Sequence, residues 1–275
     1  MERVKIKVEN HIAVVTFNRP EKMNALDDEQ FHAIIAAGEK VSLDPNVRVV
    51  VLHGEGRAFC AGLDVSGFAA GDDGLDDQVI ARSHGIANKW QKAAWVWREC
   101  PVPVLAAVHG VSFGGGLQIM LGADIKYIAA DTKLSIMEMK WGLIPDMAGT
   151  QLMYHSVRDD IIRELTYTNR VFSGEQAVQY GFATHVSASP LDEAMSLAQE
   201  IASKSPSAVV KAKKVLNEAP YLSVEDGLML ESVEQTAIIK KKNQLEAIYS
   251  SLQKRPGNFD DYREDGHNGQ PTSAI

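Results

Sequence analysis

Val102-Pro103-Val104-Leu105-Ala106-Ala107-Val108 runs straight into His109-Gly110-Val111-Ser112-Phe113-Gly114-Gly115-Gly116-Leu117-Gln118. The unbroken apolar stretch reads as a strand buried on both faces, the kind found in parallel sheets. Three consecutive glycines follow, then the helix-like run Leu117–Ala123. Strand, glycine turn and helix in this order form a unit of an α/β fold. Glycine lets other atoms approach the backbone closely. A helix start presents unpaired N–H groups and the positive end of a dipole. Together they can hold a developing negative charge. Gln118, which closes the motif, does not titrate, and that limits the chemistry available.

The alternation extends outward in both directions. Val4–Val8, a turn at Glu9-Asn10-His11 and Ile12–Phe17 read as a hairpin. Arg19-Pro20-Glu21-Lys22 breaks it. Asp27 caps a helix through about Val41 with Phe31, Ile34, Ile35 and Val41 on one stripe, and Asp44-Pro45-Asn46 stops it. Val47–His53 is a second doubly buried strand. Phe68–Asp77, rich in Gly and Asp, reads as a mobile loop. Gln78–Glu99 reads as one long helix carrying Trp90, Trp95 and Trp97. Strands follow over Asp124–Ala129 and Lys133–Ile136, helices over Ala148–Ser156, Asp159–Thr168 and Gly174–Tyr180, and a short strand over Thr184–Val186. Leu191–Lys204, Pro206–Asn217 and Val224–Ser251 are three further helices, and Arg255–Ile275 is a polar, peripheral tail. Residues 1–190 thus form an α/β core, and residues 191–275 a helical part.

The 275 residues, 45% hydrophobic and 23% charged, suit one large globular domain or a domain with an appendage. No apolar run approaches the roughly 20 residues of a membrane span. Met1–Lys5 enters a strand pattern at once without a signal-like apolar segment, so a cytoplasmic location is expected. Cys60 and Cys100 make no disulfide framework. A net charge of −8 argues against nucleic acid as a partner but not against a phosphate-bearing small ligand. Lys240-Lys241-Lys242 reads as a solvated helix face.

Three segments can carry chemistry. Gly56-Arg57-Ala58-Phe59-Cys60-Ala61-Gly62-Leu63-Asp64 is either a tight strand-to-helix connection or a loop that points a backbone N–H, that of Ala61, at a ligand. The glycine motif lacks the Gly-Lys-Ser/Thr of a nucleotide P-loop and the spaced glycines of a dinucleotide fingerprint. In Lys133–Asp146, Glu138 and Asp146 stand in an otherwise apolar stretch. Apolar surroundings raise a carboxylate's pKa and suit it to proton transfer. The bland alternatives are a Glu138–Lys140 pair and an Asp146 cap on the helix at Ala148. His109 reads as a satisfied strand-end histidine, and His53 and His155 show no metal spacing, so no metal is expected. Cys60 and Ser112 lack a His/Asp partner at a recognisable spacing, which favours structural roles.

In order, these segments resemble the enoyl-CoA hydratase/isomerase, or crotonase, family. The match runs from Phe17-Asn18-Arg19-Pro20-Glu21-Lys22-Met23-Asn24-Ala25-Leu26 through Ala58–Asp64, Pro103–Gly110, Gly114-Gly115-Gly116, Ala123-Asp124-Ile125 and Gly142–Gln151. It continues in Phe172–Ala177 and Gly181-Phe182-Ala183 and covers residues 1 to about 220. The resemblance implies a spiral of repeated ββα units with a C-terminal helical part, assembled as homotrimers or dimers of trimers. It implies an acyl-CoA thioester as substrate, with CoA part of the substrate and no separate cofactor. The N–H groups of Ala61 and Gly115 would form an oxyanion hole for the thioester carbonyl. Asn24, Ala25, Ala58, Ala61, Gly62, Leu63, Asp64 and Gly114 would line the substrate and CoA path.

Hydratases of the family carry two glutamates. One falls on Glu138; the other falls on Gln118, an amide. The resemblance implies that isomerases acting on 3,5-dienoyl-CoA use acids at the Glu138 and Asp146 positions and a third where Gln118 stands. The expectation is therefore double-bond migration, with Glu138 and Asp146 moving the proton and Gln118 orienting substrate or water. A 2-enoyl-CoA hydratase is the alternative within the family. A non-catalytic CoA- or RNA-binding scaffold is the alternative outside it.

Overall fold

The computed structural model describes residues 2–64 and 75–262. In chain order the elements are β1 (Val4–Glu9), β2 (Ile12–Phe17), α1 (Asp28–Leu43), β3 (Val49–Gly54), α2 (Leu75–Ile80), α3 (Lys89–Glu99) and β4 (Val104–Val108). Next come β5 (Val111–Phe113), α4 (Gly115–Leu121), β6 (Ile125–Ile128), β7 (Lys133–Ser135), α5 (Gly149–Met153) and α6 (Asp159–Thr168). The chain then forms β8 (Phe172–Ser173), α7 (Gly174–Tyr180), β9 (His185–Val186), α8 (Pro190–Ala202), α9 (Pro206–Glu218), α10 (Val224–Ile238) and α11 (Lys242–Leu252).

β1 and β2 form the expected hairpin. Asn10 and His11 both have positive φ, which fits the strand twist across a two-residue turn. Beyond it the larger sheet runs β1-β2-β3-β4-β6-β9, parallel from β2 onward. A smaller sheet runs β5-β7-β8, and a bridge from Cys60 to Ser112 extends it. Each pass of the chain gives a strand to the larger sheet, a strand or bridge to the smaller one, and then a helix or loop. That recurrence is a spiral of ββα units.

The parallel strands are buried on both faces, as their composition demands. Val50, Leu52, Val104, Ala106 and Val108 join the main core with Phe31, Ile34, Trp97 and Leu117. Val49, Val51, Leu105 and Ala107 face α8, whose Ala194, Ala198 and Ala202 line one stripe at four-residue spacing. Their small side chains let the helix lie close to the sheet. Phe59 is fully buried edge-on to Phe17, ring centroids 5.3 Å apart. Burial of such a side chain is worth about 1.5–3 kcal/mol, and here it anchors the loop that follows.

Several boundaries differ from the sequence expectation. The helix expected over Gln78–Glu99 is two, α2 and α3. Gly85 takes φ +69 between them, and Asn88 opens α3 with a capping box to Gln91. Val224–Ser251 likewise splits into α10 and α11, because Lys240 adopts φ +60. The lysine run is therefore a helix break, with Lys242 paired to Asp260. The strands β5 and β8 are too short to show a period. Part of the tail is not peripheral: Arg48 donates to Phe259 O at 2.8 Å and Asn243 bonds the Asp260 backbone. Most of the Phe68–Asp77 loop lies outside the described residues, as does the tail from residue 263. No helix among the described residues is long and apolar enough to cross a membrane.

Candidate active site

The loop after β3 is hydrogen-bonded on both sides. On one side the Cys60 N–H donates to Val111 O and the Phe113 N–H to Cys60 O, both at 3.1 Å. On the other, the Leu26 N–H donates to Gly62 O at 2.8 Å and the Asp64 N–H to Leu26 O at 2.9 Å. In a parallel pairing of this kind the bonds engage the neighbours of Leu63, so its own N–H points away from Leu26. That direction leads to the glycine turn. A Cβ added to Gly62 would lie 2.5 Å from Phe113 O and 3.7 Å from Gly115 N. The N–H groups of Leu63 and Gly115 meet no acceptor among the described residues.

This accounting corrects one expectation. The Ala61 N–H donates to Met23 O at 2.9 Å and is already engaged. Leu63, two residues on, is the one of the pair whose N–H has no acceptor among the described residues. Sequence alone does not separate the two, because Met23 and Leu26, which decide the matter, come from a distant segment.

Gly114 and Gly115 are glycine for steric reasons. Gly114 has φ +48, and an added Cβ there would sit 3.2 Å from Glu138 Oε1. A Cβ on Gly115 would lie 2.6 Å from Met147 Sδ and 2.8 Å from Leu26 Cδ1. Bare backbone is what allows Met147 and Leu26 to close over the start of α4.

Gln118, one turn further along α4, is almost fully buried and committed. Its Oε1 accepts from the N–H groups of Met147 and Gly149, each at 2.8 Å. Its Nε2 donates to Glu138 Oε1 at 2.6 Å. These three bonds fix which way the amide points. Gln118 thus ties Glu138 to the turn after Asp146, with its second Nε2 hydrogen left for the expected contact to substrate or water.

Glu138 opens a short 3-10 turn, Glu138–Trp141. Its Oε2 is buried without a partner among the described residues. Burial is the main cause holding its pKa above the usual carboxylate range, and the nearby charge of Asp146 adds to it. The Gln118 bond pulls the other way. Glu138 does not pair with Lys140, whose ammonium lies over the Trp141 ring.

Asp146 does not cap a helix, since α5 starts later behind Ala148 and has no side-chain cap. Its residue surface is open to solvent. Protein packed around the carboxyl nevertheless raises its pKa. Solvent on the open side limits that shift.

Several residues expected on the CoA path have structural duties. Asn24 is fully buried, and its Nδ2 reaches Ala58 O at 2.9 Å and Phe59 O at 3.2 Å. Its Oδ1 accepts from the Arg19 N–H. Ala58 is fully buried, and Ala25 gives its carbonyl to Arg19. Asp64 forms an ion pair with Arg19 at 2.9 Å. His109 Nε2 lies 2.9 Å from Gly56 O, at the strand end as expected.

Cys60 donates its thiol to Asn24 O, and burial pushes that thiol up to about 12. The thiol is therefore expected to resist iodoacetamide at pH 8 in the folded protein and to react on unfolding. Quantitative labelling of Cys60 under native conditions contradicts this. Among the described residues no group of His, Cys, Asp and Glu could hold a metal ion.

A family profile described as enoyl-CoA hydratase/isomerase matches residues 7–263. The chain belongs to that family, whose members act on acyl-CoA thioesters. It is 29% identical over 257 residues to the mitochondrial Delta(3,5)-Delta(2,4)-dienoyl-CoA isomerase of Mus musculus, covering 90% of this chain and 78% of that protein. It is also 29% identical over 262 residues to a probable enoyl-CoA hydratase of Bacillus subtilis, covering 94% and 99%. In three dimensions it matches the crystal structure of an enoyl-CoA hydratase from Bacillus anthracis with a TM-score of 0.87. There the identity is 25%, over 94% of this chain and 99% of the other.

Proposed function

We propose that this enzyme moves the double bonds of a dienoyl-CoA, converting a 3,5-diene into a 2,4-diene conjugated with the thioester. One observation carries the reading. Glu138, hydrogen-bonded to the Gln118 amide, and Asp146 both carry carboxyls with raised pKa, and these are two of the three acids that the resemblance implies for 3,5-dienoyl-CoA isomerases. Relatives named as dienoyl-CoA isomerases point the same way.

The chemistry needs a proton taken from C2 and one returned at C6. These carbons are four bonds apart, so two groups serve better than one. Glu138 and Asp146 both have raised pKa values, each chiefly through burial, and the charge of Asp146 adds to the shift of Glu138. With one of the two carboxyls ionised and the other protonated, the site can accept a proton at one end and donate one at the other. Removing the C2 proton turns the thioester into an extended enolate. In this reading the N–H groups of Leu63 and Gly115, both without an acceptor among the described residues, hold its oxygen, and one such donor is worth roughly 3 kcal/mol. CoA is part of the substrate, and the steps call for no other group.

Hydration instead needs a base for water beside an acid for C2. Gln118 accepts no proton at neutral pH. The same reading includes a homotrimer or a dimer of trimers, supported by exposed Val224, Leu228, Met229 and Val233 on α10. The test is a panel of 2-enoyl-, 3-enoyl- and 3,5-dienoyl-CoA with product identification. A 2,4-dienoyl-CoA product is expected. Fast formation of 3-hydroxyacyl-CoA with no diene isomerisation overturns the proposal.

A further inference from the structure

We infer that Arg19 is a positioning residue for the oxyanion site, acting by fixing the direction of the Leu63 N–H. The inference rests on the proposed enolate chemistry. Arg19 lies in the loop after β2 and touches no carboxyl of the Glu138 site, yet its side chain is only 11% exposed. Its guanidinium spans both strands of the Leu26–Leu63 bridge. Nη1 donates to Ala25 O at 2.9 Å on one strand. Nη2 pairs with Asp64 Oδ2 at 2.9 Å on the other, one residue beyond Leu63. The same Nη2 lies 3.2 Å from Asp27 Oδ2.

The anchor behind Arg19 is rigid. Asp27 caps α1 through the Gln30 N–H and also pairs with Arg3 at 2.8 Å. The Arg19 backbone is tied to Asn24 at both ends, N–H to Oδ1 at 2.8 Å and carbonyl to the Asn24 N–H at 2.9 Å. Asn24 in turn holds the carbonyls of Ala58 and Phe59 just upstream of the donor. The chain Asp27–Arg19–Asp64 therefore connects a helix N-terminus to the peptide that presents the Leu63 N–H. The planar fork of arginine satisfies a carbonyl and a carboxylate at once, which a lysine ammonium does less well.

The test uses the full chain and two readouts. The first is kcat and KM on a 3,5-dienoyl-CoA. The second is the infrared carbonyl stretch of a bound saturated acyl-CoA, labelled with carbon-13 at the thioester carbon, which reports hydrogen bonding at the oxygen. Arg19→Met is expected to lower kcat about 10- to 100-fold, as small misplacements of a reacting group do. KM should change less than about threefold, as expected where an interaction forms mainly in the transition state. The carbonyl shift seen in the wild type should fall by about half or more, in keeping with one of two donors being lost. Arg19→Lys should recover part of both. Asp64→Asn removes the same ion pair from the other side and serves if Arg19→Met does not fold.

A folded Arg19→Met or Asp64→Asn protein with wild-type kcat and carbonyl shift overturns the role of Arg19 and leaves the isomerase reading standing. A wild-type protein that isomerises dienes without any carbonyl shift overturns the oxyanion site and the role of Arg19 together.

Discussion

Glu138→Gln is expected to lower isomerase kcat by at least about a hundredfold, the scale of a lost general acid–base group. Its stability should not fall with it. The folded-state pKa of Glu138 is raised, so the protonated form suits the fold best. That stabilising contribution is present below the ordinary glutamate pKa and is lost as pH rises through the raised one. The amide is a permanent mimic of the protonated acid. Glu138→Gln should therefore melt at least as high as the wild type at pH 7.5. Wild-type activity should itself decline on the acid side with an apparent pKa above the usual carboxylate range. Thermal melts and a pH–rate profile check both points. A variant that keeps its activity removes Glu138 from the mechanism. One that loses activity because it unfolds removes the electrostatic account.

Gln118→Glu should have the opposite sign of chemical effect. One carboxylate oxygen would keep the two N–H bonds from Met147 and Gly149. The other would replace Nε2 at 2.6 Å from Glu138 Oε1. Two carboxyls so close share a proton rather than ionise together. The acid limb of isomerisation should move to higher pH. Hydration of 2-enoyl-CoA should rise at least about tenfold as a second general acid–base group appears. The raised pKa of the pair predicts that the variant's melting temperature relative to the wild type is highest at low pH and falls as pH passes through that pKa. Assays of both reactions across pH, with melts at pH 5 and pH 8, test this. Unchanged hydration together with an unmoved acid limb contradicts the role given to Gln118.

Much of this site is legible in the chain before any coordinates. The doubly buried strands announce themselves as continuous apolar runs, and Asp27 announces α1. Glu138 and Asp146 stand out because they are acids in an apolar segment. What the chain hides are contacts between distant segments. Ala61 and Leu63 look alike as donors until the pairings with Met23 and Leu26 remove one. Asn24 and Asp64 look like ligand contacts until their partners, Ala58, Phe59 and Arg19, show them holding the loop. The splits at Gly85 and Lys240 were hidden for another reason. At Lys240 the break turns on one residue with positive φ that is not a glycine, and around Gly85 it is a turn over residues 81–88 closed by a His84–Ala87 bridge.

The central claim is that a neutral Gln118 beside Glu138 directs the site to proton migration rather than water addition. The most direct measurement compares kcat/KM of the wild-type protein for 3,5-dienoyl-CoA isomerisation and for 2-enoyl-CoA hydration, at matched chain length. Isomerisation is followed by the absorbance change on conjugation with the thioester. The account predicts isomerisation favoured by about a hundredfold or more, the scale of one general acid–base group. Hydration at an equal or higher kcat/KM would contradict it.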